Sequence, residues 1–175
     1  MKRLLRAALL ALMCALAGCA SYEAGSANRL IRASYDSTDT LIGLMPAPLP
    51  KDAPLLVATL VNIDALTESS TLGRILSEQV SARLTQQGYQ VIELKMRGSV
   101  FVKASQGELM LSREIKDLSQ SHQAQAVVVG TYALGPQHLF VNLKILRPQD
   151  NRVLSAHDVA IKLDSTVRMM LMSET

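Results

Sequence analysis

The sequence predicts one domain of the α/β (α+β) class, built on a single mixed β-sheet with helices packed against it. Two apolar runs, 55–61 and 126–132, are too short for buried helices and rich in branched residues, which is typical of central strands. The segment 71–87 has the apolar periodicity of a helix, and a strand at 89–94 completes a βαβ crossover with parallel strands. Apolar and polar residues alternate over 139–145, which predicts an antiparallel meander at the end of the chain.

The amino terminus predicts an export signal at residues 1–18. A cationic start that includes Arg3 and Arg6 precedes an apolar run, 7–17, that is well short of the ~20 residues needed to cross a bilayer. Three of the 18 Lys and Arg residues lie in this signal and none of the 15 Asp and Glu residues do, so the mature chain carries 15 of each. A neutral, exported chain does not have the clustered cationic surface of a nucleic-acid-binding protein.

The segment Leu16-Ala17-Gly18-Cys19 resembles the lipobox of bacterial lipoproteins, in which the cysteine becomes the acylated first residue of the mature protein. We therefore predict lipidation, with palmitate among the acyl chains, at Cys19, and a short lipidated tether at 19–26. The alternative is an ordinary cleaved signal that happens to contain a cysteine. Ala20 stands where an Asp would resemble the inner-membrane retention signal, so the outer membrane is the expected destination, with the domain facing the periplasm. Because Cys14 leaves with the signal, no disulfide is expected.

Residues 27–54 predict an amphipathic helix followed by a proline-rich connector. A stripe of residues spaced three and four apart would form one helix face. Its members are Ile31, Tyr35, Thr38, Ile42 and Met45. Prolines then end the helix, since each removes a backbone donor and disfavours helical geometry before it; they are Pro46, Pro48, Pro50 and Pro54. The helix could act as a stalk or fold back onto the domain, and its apolar stripe favours folding back.

The predicted domain proper extends over 55–164. Its first helix can be capped by Ser69, Ser70 or Thr71, and Gly88 can end it in the left-handed conformation. The apolar residues of this helix share one face, which is expected to point inward, whereas Gln79 lies off that face. The inward residues are Leu72, Ile75, Leu76, Val80 and Leu84.

The second half of the domain predicts further short elements. Strands at 100–103 and 108–111 form a hairpin, and Ser112 caps a short helix with Ile115 and Leu118 facing inward. A tail at 165–175 is expected to form a terminal helical turn, whose methionines dock on the core or on a partner, the core being favoured.

A family resemblance extends over about 55–161. The residues that carry it are Asn62-Ile63-Asp64-Ala65-Leu66, Thr71-Leu72-Gly73-Arg74, Glu78-Gln79, Gly88-Tyr89, Leu111-Ser112-Arg113 and Val129-Gly130-Thr131-Tyr132. In this order and spacing the chain resembles the FlgO family of outer-membrane lipoproteins, which is associated with the bacterial flagellum. The resemblance implies a fold similar in outline to the amino-terminal module of TolB and to lipoprotein regulators of cell-wall synthesis. It implies no binding site.

The sequence predicts no catalytic, metal or cofactor site. His122, His138 and His157 are scattered and match no metal-binding spacing, so each is expected at the surface or in a turn. Arg74 and Glu78 lie one helical turn apart, and such a solvated pair is worth ~0.5 kcal/mol or less. An enzyme is therefore the last of the function classes considered.

Two features near the start of the helix could be taken for a ligand site. The loop 64–70 follows the carboxyl end of the first strand, where ligands often bind in open α/β sheets, but this rests on fold analogy alone. Gly73 has no neighbouring glycine with which to form a phosphate cradle, so close packing of the helix on the sheet explains it better.

These observations favour a non-enzymatic, lipid-anchored protein that acts through protein contacts. The resemblance implies assembly or stability of the flagellum at the outer membrane, and hence motility. The alternatives are a periplasmic regulator that contacts a peptidoglycan synthase or the cell wall, and a subunit of an outer-membrane oligomer or secretion channel. The expected partners are membrane lipid, through acylated Cys19, and envelope or flagellar proteins; a homo-oligomer is possible, and neither a cofactor nor a nucleic acid is expected.

Overall fold

A computed structural model describes residues 25, 28–66, 69–94 and 116–172 of the chain. Within these residues the helices and strands follow one another in a βαβ unit and then a meander. They are α1 (28–43), β1 (Leu55–Ala58), β2 (Val61–Asn62), α2 (Thr71–Gln86), β3 (Val91–Leu94), α3 (116–121), β4 (Ala126–Leu134), β5 (His138–Arg147), β6 (Arg152–Lys162) and α4 (Ser165–Met172). The predicted hairpin at 100–103 and 108–111, Ser112 and the lipidation residue Cys19 lie outside the described residues.

The strands form one mixed sheet in the order β3-β1-β4-β5-β6, with β2 paired to β4 beyond the end of β1. Strands β3, β1 and β4 are parallel, and α2 makes the crossover between β1 and β3. Strands β4, β5 and β6 pair antiparallel in chain order. The sequence-based fold class is confirmed, and β4, at the centre of the sheet, pairs with β1 of the βαβ unit and begins the meander.

Helices cover the two faces of the sheet unequally. The larger core lies between one face and α1, α2 and α4. Its members on the sheet are Leu55, Val57, Ala126, Val128, Tyr132, Leu139, Val141, Leu143, Ile145 and Ile161. On the other face, Leu56, Ala124 and Val127 form a smaller cluster with Leu118 of α3 packed against it.

The sequence predicted one continuous strand over the first apolar run, but the structure divides this run into two strands. Strand β1 ends at Ala58 and β2 begins at Val61, because the chain uses one more residue than β4 between the pairs Val57↔Val128 and Val61↔Thr131. An extra residue in one of two paired strands bends that strand and interrupts the ladder. The bend leaves Leu60 without a backbone partner in the sheet.

Side chains satisfy the backbone at the bend. The Leu60 N–H donates to Ser77 Oγ at 2.7 Å, and the Leu60 carbonyl accepts from Ser69 Oγ at 2.7 Å. The Leu60 side chain is fully buried, and the missing side chain of Gly130 makes room for it, since a β-carbon there would lie 2.7 Å from Leu60 Cγ. The apolar composition predicted burial correctly, but it could not indicate that side chains from α2 and its leading loop would replace the ladder.

Helix α1 folds back onto the domain, as its apolar stripe favoured, and the predicted stripe is partly right. Thr38 is buried and Ile42 and Met45 pack against the core, but Ile31 is 40% exposed. The buried residues of the helix are Leu30, Ser34, Ser37, Thr38 and Leu41. Burial of these hydroxyls is possible because they donate to carbonyls one turn back, from Ser37 to Ala33 at 2.6 Å and from Thr38 to Ser34 at 2.8 Å.

The helix ends follow the sequence signals closely. Ser70 caps α2, since its Oγ accepts from the Gly73 N–H, and Gly88 follows the helix with a φ of 87°. The predicted terminal turn is helix α4, in which Val167 is buried and the Val167 N–H donates to Asp164 at 3.0 Å. The preference for docking its methionines on the core is only partly right. Met170 packs against the core, but Met169 and Met172 are 64% and 79% exposed.

Leu76 supplies a test of the helix face that packs on the sheet. It is 2% exposed, whereas Leu134 is 60% exposed at the end of β4. We expect Leu76→Ala to lower the free energy of unfolding by ~2–5 kcal/mol, from lost transfer energy and the cavity left behind. Leu134→Ala removes the same atoms and should change the free energy of unfolding by less than ~0.5 kcal/mol. Urea denaturation of both variants measures the difference, and equal shifts would contradict the helix orientation.

Candidate functional site

The predicted loop at the carboxyl edge of β1 is held by its own hydrogen bonds. Ser69 Oγ donates to the Leu60 carbonyl at 2.7 Å, and the Ser70 N–H donates to the Tyr132 hydroxyl at 2.9 Å. Tyr132 belongs to β4 and is 4% exposed, so it ties the loop to the centre of the sheet. The Asn62 side chain also accepts from the Asp64 N–H at 3.1 Å, which closes the turn after β2.

Gly73 lies against this loop and confirms the packing interpretation of the sequence. A β-carbon at Gly73 would lie 2.5 Å from the Leu60 carbonyl, 2.5 Å from Ser69 Oγ and 2.8 Å from a ring carbon of Tyr132. No side chain fits at those distances, so the first turn of α2 can approach the sheet only through a glycine. The residues Leu60, Ser69, Ser70, Gly73 and Tyr132 are called the helix–sheet junction below.

The helix–sheet junction occupies the place where open α/β sheets often bind ligands. At the start of α2 the Gly73 N–H donates to Ser70 Oγ at 3.3 Å, so a protein hydroxyl takes the position that an anion takes in phosphate-binding loops. Ser70 and Gly73 are buried. The loop 64–70, which the sequence offered as a ligand site by analogy, therefore has a structural role at its helical end.

The three histidines singled out in the sequence lie on different elements. His122 follows α3, His138 opens β5 and His157 lies on β6, and the described residues contain no cluster of His, Cys, Asp or Glu that could hold a metal ion. Arg74 is exposed and donates to Thr71 Oγ1 at 3.0 Å. None of these side chains has the geometry of a general acid, base or nucleophile acting on a common point.

A polar contact between α1 and α2 was not predicted. Arg83 donates to both carboxylate oxygens of Asp39, at 2.7 and 2.6 Å, and Gln87 donates to the same carboxylate. Tyr35 lies beneath the guanidinium of Arg83, 5.5 Å from ring centroid to Cζ. A spacing of four placed Arg83 and Gln87 on one face of α2, but nothing local indicated that Asp39, on another helix, would meet them.

Arg83 shifts the acidity of its partner. The hydrogen bonds from Arg83 are the largest cause that lowers the pKa of Asp39 below its ordinary value of 3.8; the positive charge of Arg83 and the hydrogen bond from Gln87 add to this, while burial opposes it. The same contact with Asp39 raises the pKa of Arg83. Both groups are therefore charged at neutral pH, and the pair fixes α1 on α2.

A shallow polar depression lies where α3 meets the start of β4 and the β5–β6 turn. Its lining residues are Lys116, Ser119, Gln120, Gln123, Ala124, Gln125, Pro148 and Gln149. Gln125 is already engaged, since its amide donates to the carbonyls of Pro50 and Ala53 at 2.6 Å each. Amides, a hydroxyl and one lysine do not form an acid–base or nucleophilic site.

The fold and these contacts define a class of protein: a mixed α+β domain whose carboxyl sheet edge is filled by its own side chains. The chain matches the FlgO protein family over residues 35–166, and it belongs to that family. No curated protein sequence matches it significantly. The FlgO resemblance drawn from the sequence is thus confirmed.

Two solved structures share the fold. The LpoB C-terminal domain from Salmonella enterica superposes with a TM-score of 0.57 at 11% identity, covering 77% of this chain and 98% of that domain. The LpoB C-terminal domain from Escherichia coli gives a TM-score of 0.54 at 11% identity, with the same coverage of 77% and 98%. At this identity the similarity concerns the fold alone.

Several of the residues that carry the family resemblance meet at the helix–sheet junction. Gly73 of α2 lies against Tyr132 of β4, and Gly130 makes room for Leu60. Tyr89 is 6% exposed, with the Lys51 ammonium 3.2 Å from its ring centroid. The resemblance therefore includes packing residues, whereas Ile63, Asp64 and Leu66 of its first motif are exposed.

Gly73 can be tested against a matched glycine. Gly73→Ala should lower the free energy of unfolding by ~1–3 kcal/mol, because the added methyl overlaps backbone and side-chain atoms that cannot all move. Gly43→Ala, near the end of α1 with nothing within 4 Å of a β-carbon, should be neutral or slightly stabilising. Denaturation midpoints compare the two, and a neutral Gly73→Ala variant would contradict the close approach of α2 to the sheet.

The contact between Asp39 and Arg83 predicts a dependence of stability on pH. Because the folded pKa of Asp39 lies below the unfolded one, its contribution is present above the unfolded value of 3.8 and is lost as the pH falls through the folded value. We expect Asp39→Asn to cost no more than ~1 kcal/mol at pH 7, since the pair is partly solvent-exposed.

Thermal denaturation from pH 7 to pH 2.5 measures this effect. The difference between the wild type and Asp39→Asn should shrink below about pH 4, where the wild-type carboxylate takes up its proton. Asp117→Asn removes an exposed charge from another helix, α3, and is the control. A difference that stays constant with pH would show that the ionised form of Asp39 contributes nothing.

Proposed function

We propose that this protein is a non-enzymatic outer-membrane lipoprotein, acylated at Cys19, that acts through protein contacts in the assembly or stability of the flagellum. The observation that carries the proposal is membership of the FlgO family over residues 35–166. The lipobox-like segment 16–19 lies just upstream of the matched region, which agrees with a domain exported and then held at a membrane.

The proposed lipid would supply the membrane attachment. Among the described residues, no helix combines the length and the apolarity needed to cross a bilayer. The mature chain carries 15 basic and 15 acidic residues, so it has no net charge to draw it to anionic lipid. Lipoprotein-type acylation supplies more than one chain, and two chains hold stably where one binds only marginally.

Two features support contact with proteins as the mode of action. The helix–sheet junction fills the usual ligand position with buried protein groups. Strand β6 ends the strand order of the sheet and is 11 residues long, so its outer edge offers backbone donors and acceptors to an added strand. Such an edge suits an envelope or flagellar protein, or a second copy of this chain.

A second candidate function is regulation of a peptidoglycan synthase or contact with the cell wall. The fold shared with the LpoB C-terminal domains favours it. Both candidates require the same lipid anchor and the same protein-binding domain. They differ in the partner, and therefore in the phenotype of a strain that lacks the protein.

A deletion strain separates the two candidates. On the flagellar proposal the strain should swim poorly and lose or destabilise filaments, and expression of the wild-type chain should restore them. Normal swimming with intact filaments would rule that proposal out. Hypersensitivity to inhibitors of cell-wall synthesis with normal swimming would instead support the second candidate. Microscopy of filaments and soft-agar motility provide the first readout, and growth with cell-wall inhibitors the second.

The proposed lipid anchor at Cys19 can be tested separately, with a control substitution in the predicted export signal. Cys19→Ala should release the protein from the outer-membrane fraction, as soluble periplasmic protein or unprocessed precursor, because the acyl chains have no attachment atom. Cys14→Ala removes the other cysteine, which lies in the predicted signal, and should leave localisation unchanged. Fractionation with immunoblotting measures both variants. Full retention of Cys19→Ala with full complementation would show that protein contacts hold the chain at the membrane.

A further inference from the structure

Most of the large apolar side chains exposed on the described part of the protein lie around one end of the domain. This end, called the tether end, is where α1 begins and where β4 and β6 finish. Its exposed apolar residues are Ile31, Ile63, Leu66, Leu134, Phe140 and Met169. Two further ones, Leu44 and Val153, lie at the opposite end, just after α1 and at the start of β6.

Backbone contacts place three of these residues together at the end of β4. Leu134 is the last residue of β4, and Phe140 follows the turn to β5 and pairs with Ala133. The Ile63 N–H donates to the Tyr132 carbonyl at 3.0 Å, so the turn after β2 lies beside them. Leu134 is 60% exposed, and Ile63 and Phe140 are each 53% exposed.

Helices α1 and α4 both start at the tether end. Arg29, in the first turn of α1, forms an ion pair with Asp164 at 3.3 Å, directly after β6. Helix α4 starts there, and Arg168 reaches the Pro136 carbonyl in the β4–β5 turn at 3.4 Å. Ile31 and Met169 are therefore carried to the tether end by α1 and α4.

The exposed charges that the structure describes around the tether end are mostly positive. Among the described residues there, Arg32, Arg74, Lys162 and Arg168 are exposed cations, and Asp64 is the exposed acid. Arg29 is already paired with Asp164 and adds no net charge. Apolar side chains among cations suit the interface of a bilayer that contains anionic phospholipid.

The length of the tether decides which end of the domain can face the bilayer. Nine peptide units separate Cys19 from residue 28 at the start of α1, so even a fully extended tether spans at most ~30 Å. Strand β6, with 11 residues, is itself ~35 Å long. The opposite end of the sheet is thus about one strand length further from the attachment point than the tether end.

We propose that the tether end is a membrane-contact surface, whose occupant is the anionic phospholipid surface of the leaflet that holds the acyl chains of Cys19. This inference rests on the proposed lipid anchor. The bilayer, rather than a protein partner, is favoured because the exposed apolar residues and cations are arranged around the point where the short tether enters the domain. The domain then stands on the membrane with β4 and β6 pointing towards it.

The chain contains no tryptophan, so single tryptophans can report which end meets lipid. Phe140→Trp and Leu134→Trp place reporters at the tether end. Leu44→Trp and Val153→Trp are matched controls, since they replace apolar residues that are 57% and 48% exposed at the opposite end. Each variant is purified as the mature lipoprotein and reconstituted in phosphatidylethanolamine–phosphatidylglycerol vesicles that contain brominated acyl chains.

Bromine quenches tryptophan only at close range, so we expect quenching at positions 134 and 140 to exceed that at positions 44 and 153 by about twofold or more. Equal quenching at the two ends, or stronger quenching at positions 44 and 153, would overturn the proposal. A blue shift at position 140 that grows with protein concentration and is insensitive to bromine would also overturn it, because a second copy would then cover the surface. Unchanged melting temperatures show that each variant is folded.

Flotation of the same vesicles reports on the anchor separately. One outcome is that the wild-type mature chain floats with the vesicles while quenching is equal at the two ends of the domain. That result would support the lipid anchor and contradict the proposed contact surface. If the chain does not float, the proposed anchor fails. Cys19 can then be coupled to a maleimide lipid, which restores a tether of the same length, and the comparison of positions 134 and 140 with 44 and 153 still decides whether the tether end contacts lipid.

Discussion

The arrangement of the domain depends on one close approach, that of the first turn of α2 to the sheet at Gly73. The bend between β1 and β2 turns the Leu60 backbone out of the ladder, and side chains from α2 and its leading loop satisfy it. Those bonds are possible only because α2 lies within hydrogen-bonding distance of the bend, and a side chain at Gly73 would prevent this. Tyr132 then joins the same loop to the central strand.

A second constraint concerns the helix that carries the chain into the domain. The buried face of α1 combines Leu30 and Leu41 with hydroxyl residues, so its fit depends on polar groups as well as on apolar area. The Leu41 carbonyl accepts from Ser155 of β6 at 2.7 Å, and Asp39 is paired with Arg83 of α2. These contacts join α1 to both the sheet and the neighbouring helix. The start of α1 therefore has a defined position on the domain.

The candidate site and the proposed contact surfaces occupy different parts of the domain. In the described part of the chain, protein groups fill the start of α2, at the sheet edge where related architectures often bind ligands. The two proposed contact surfaces, the edge of β6 and the tether end, differ in chemistry. The first offers backbone hydrogen bonds along its length, and the second offers apolar side chains among cations.

The sequence by itself determined the elements whose signals are local. The apolar runs around Val57 and Val128 and the turn at Gly88 are each set by neighbours within one element, as is the start of α2, where the sequence offered Ser69, Ser70 or Thr71 as the cap. The family resemblance likewise rests on short motifs. Only the tertiary structure decided the bend at Leu60, the buried face of α1 and the contact of Asp39 with Arg83. Each of these joins residues distant in sequence, and their partners are chosen by how the layers pack, which periodicity along one segment does not report.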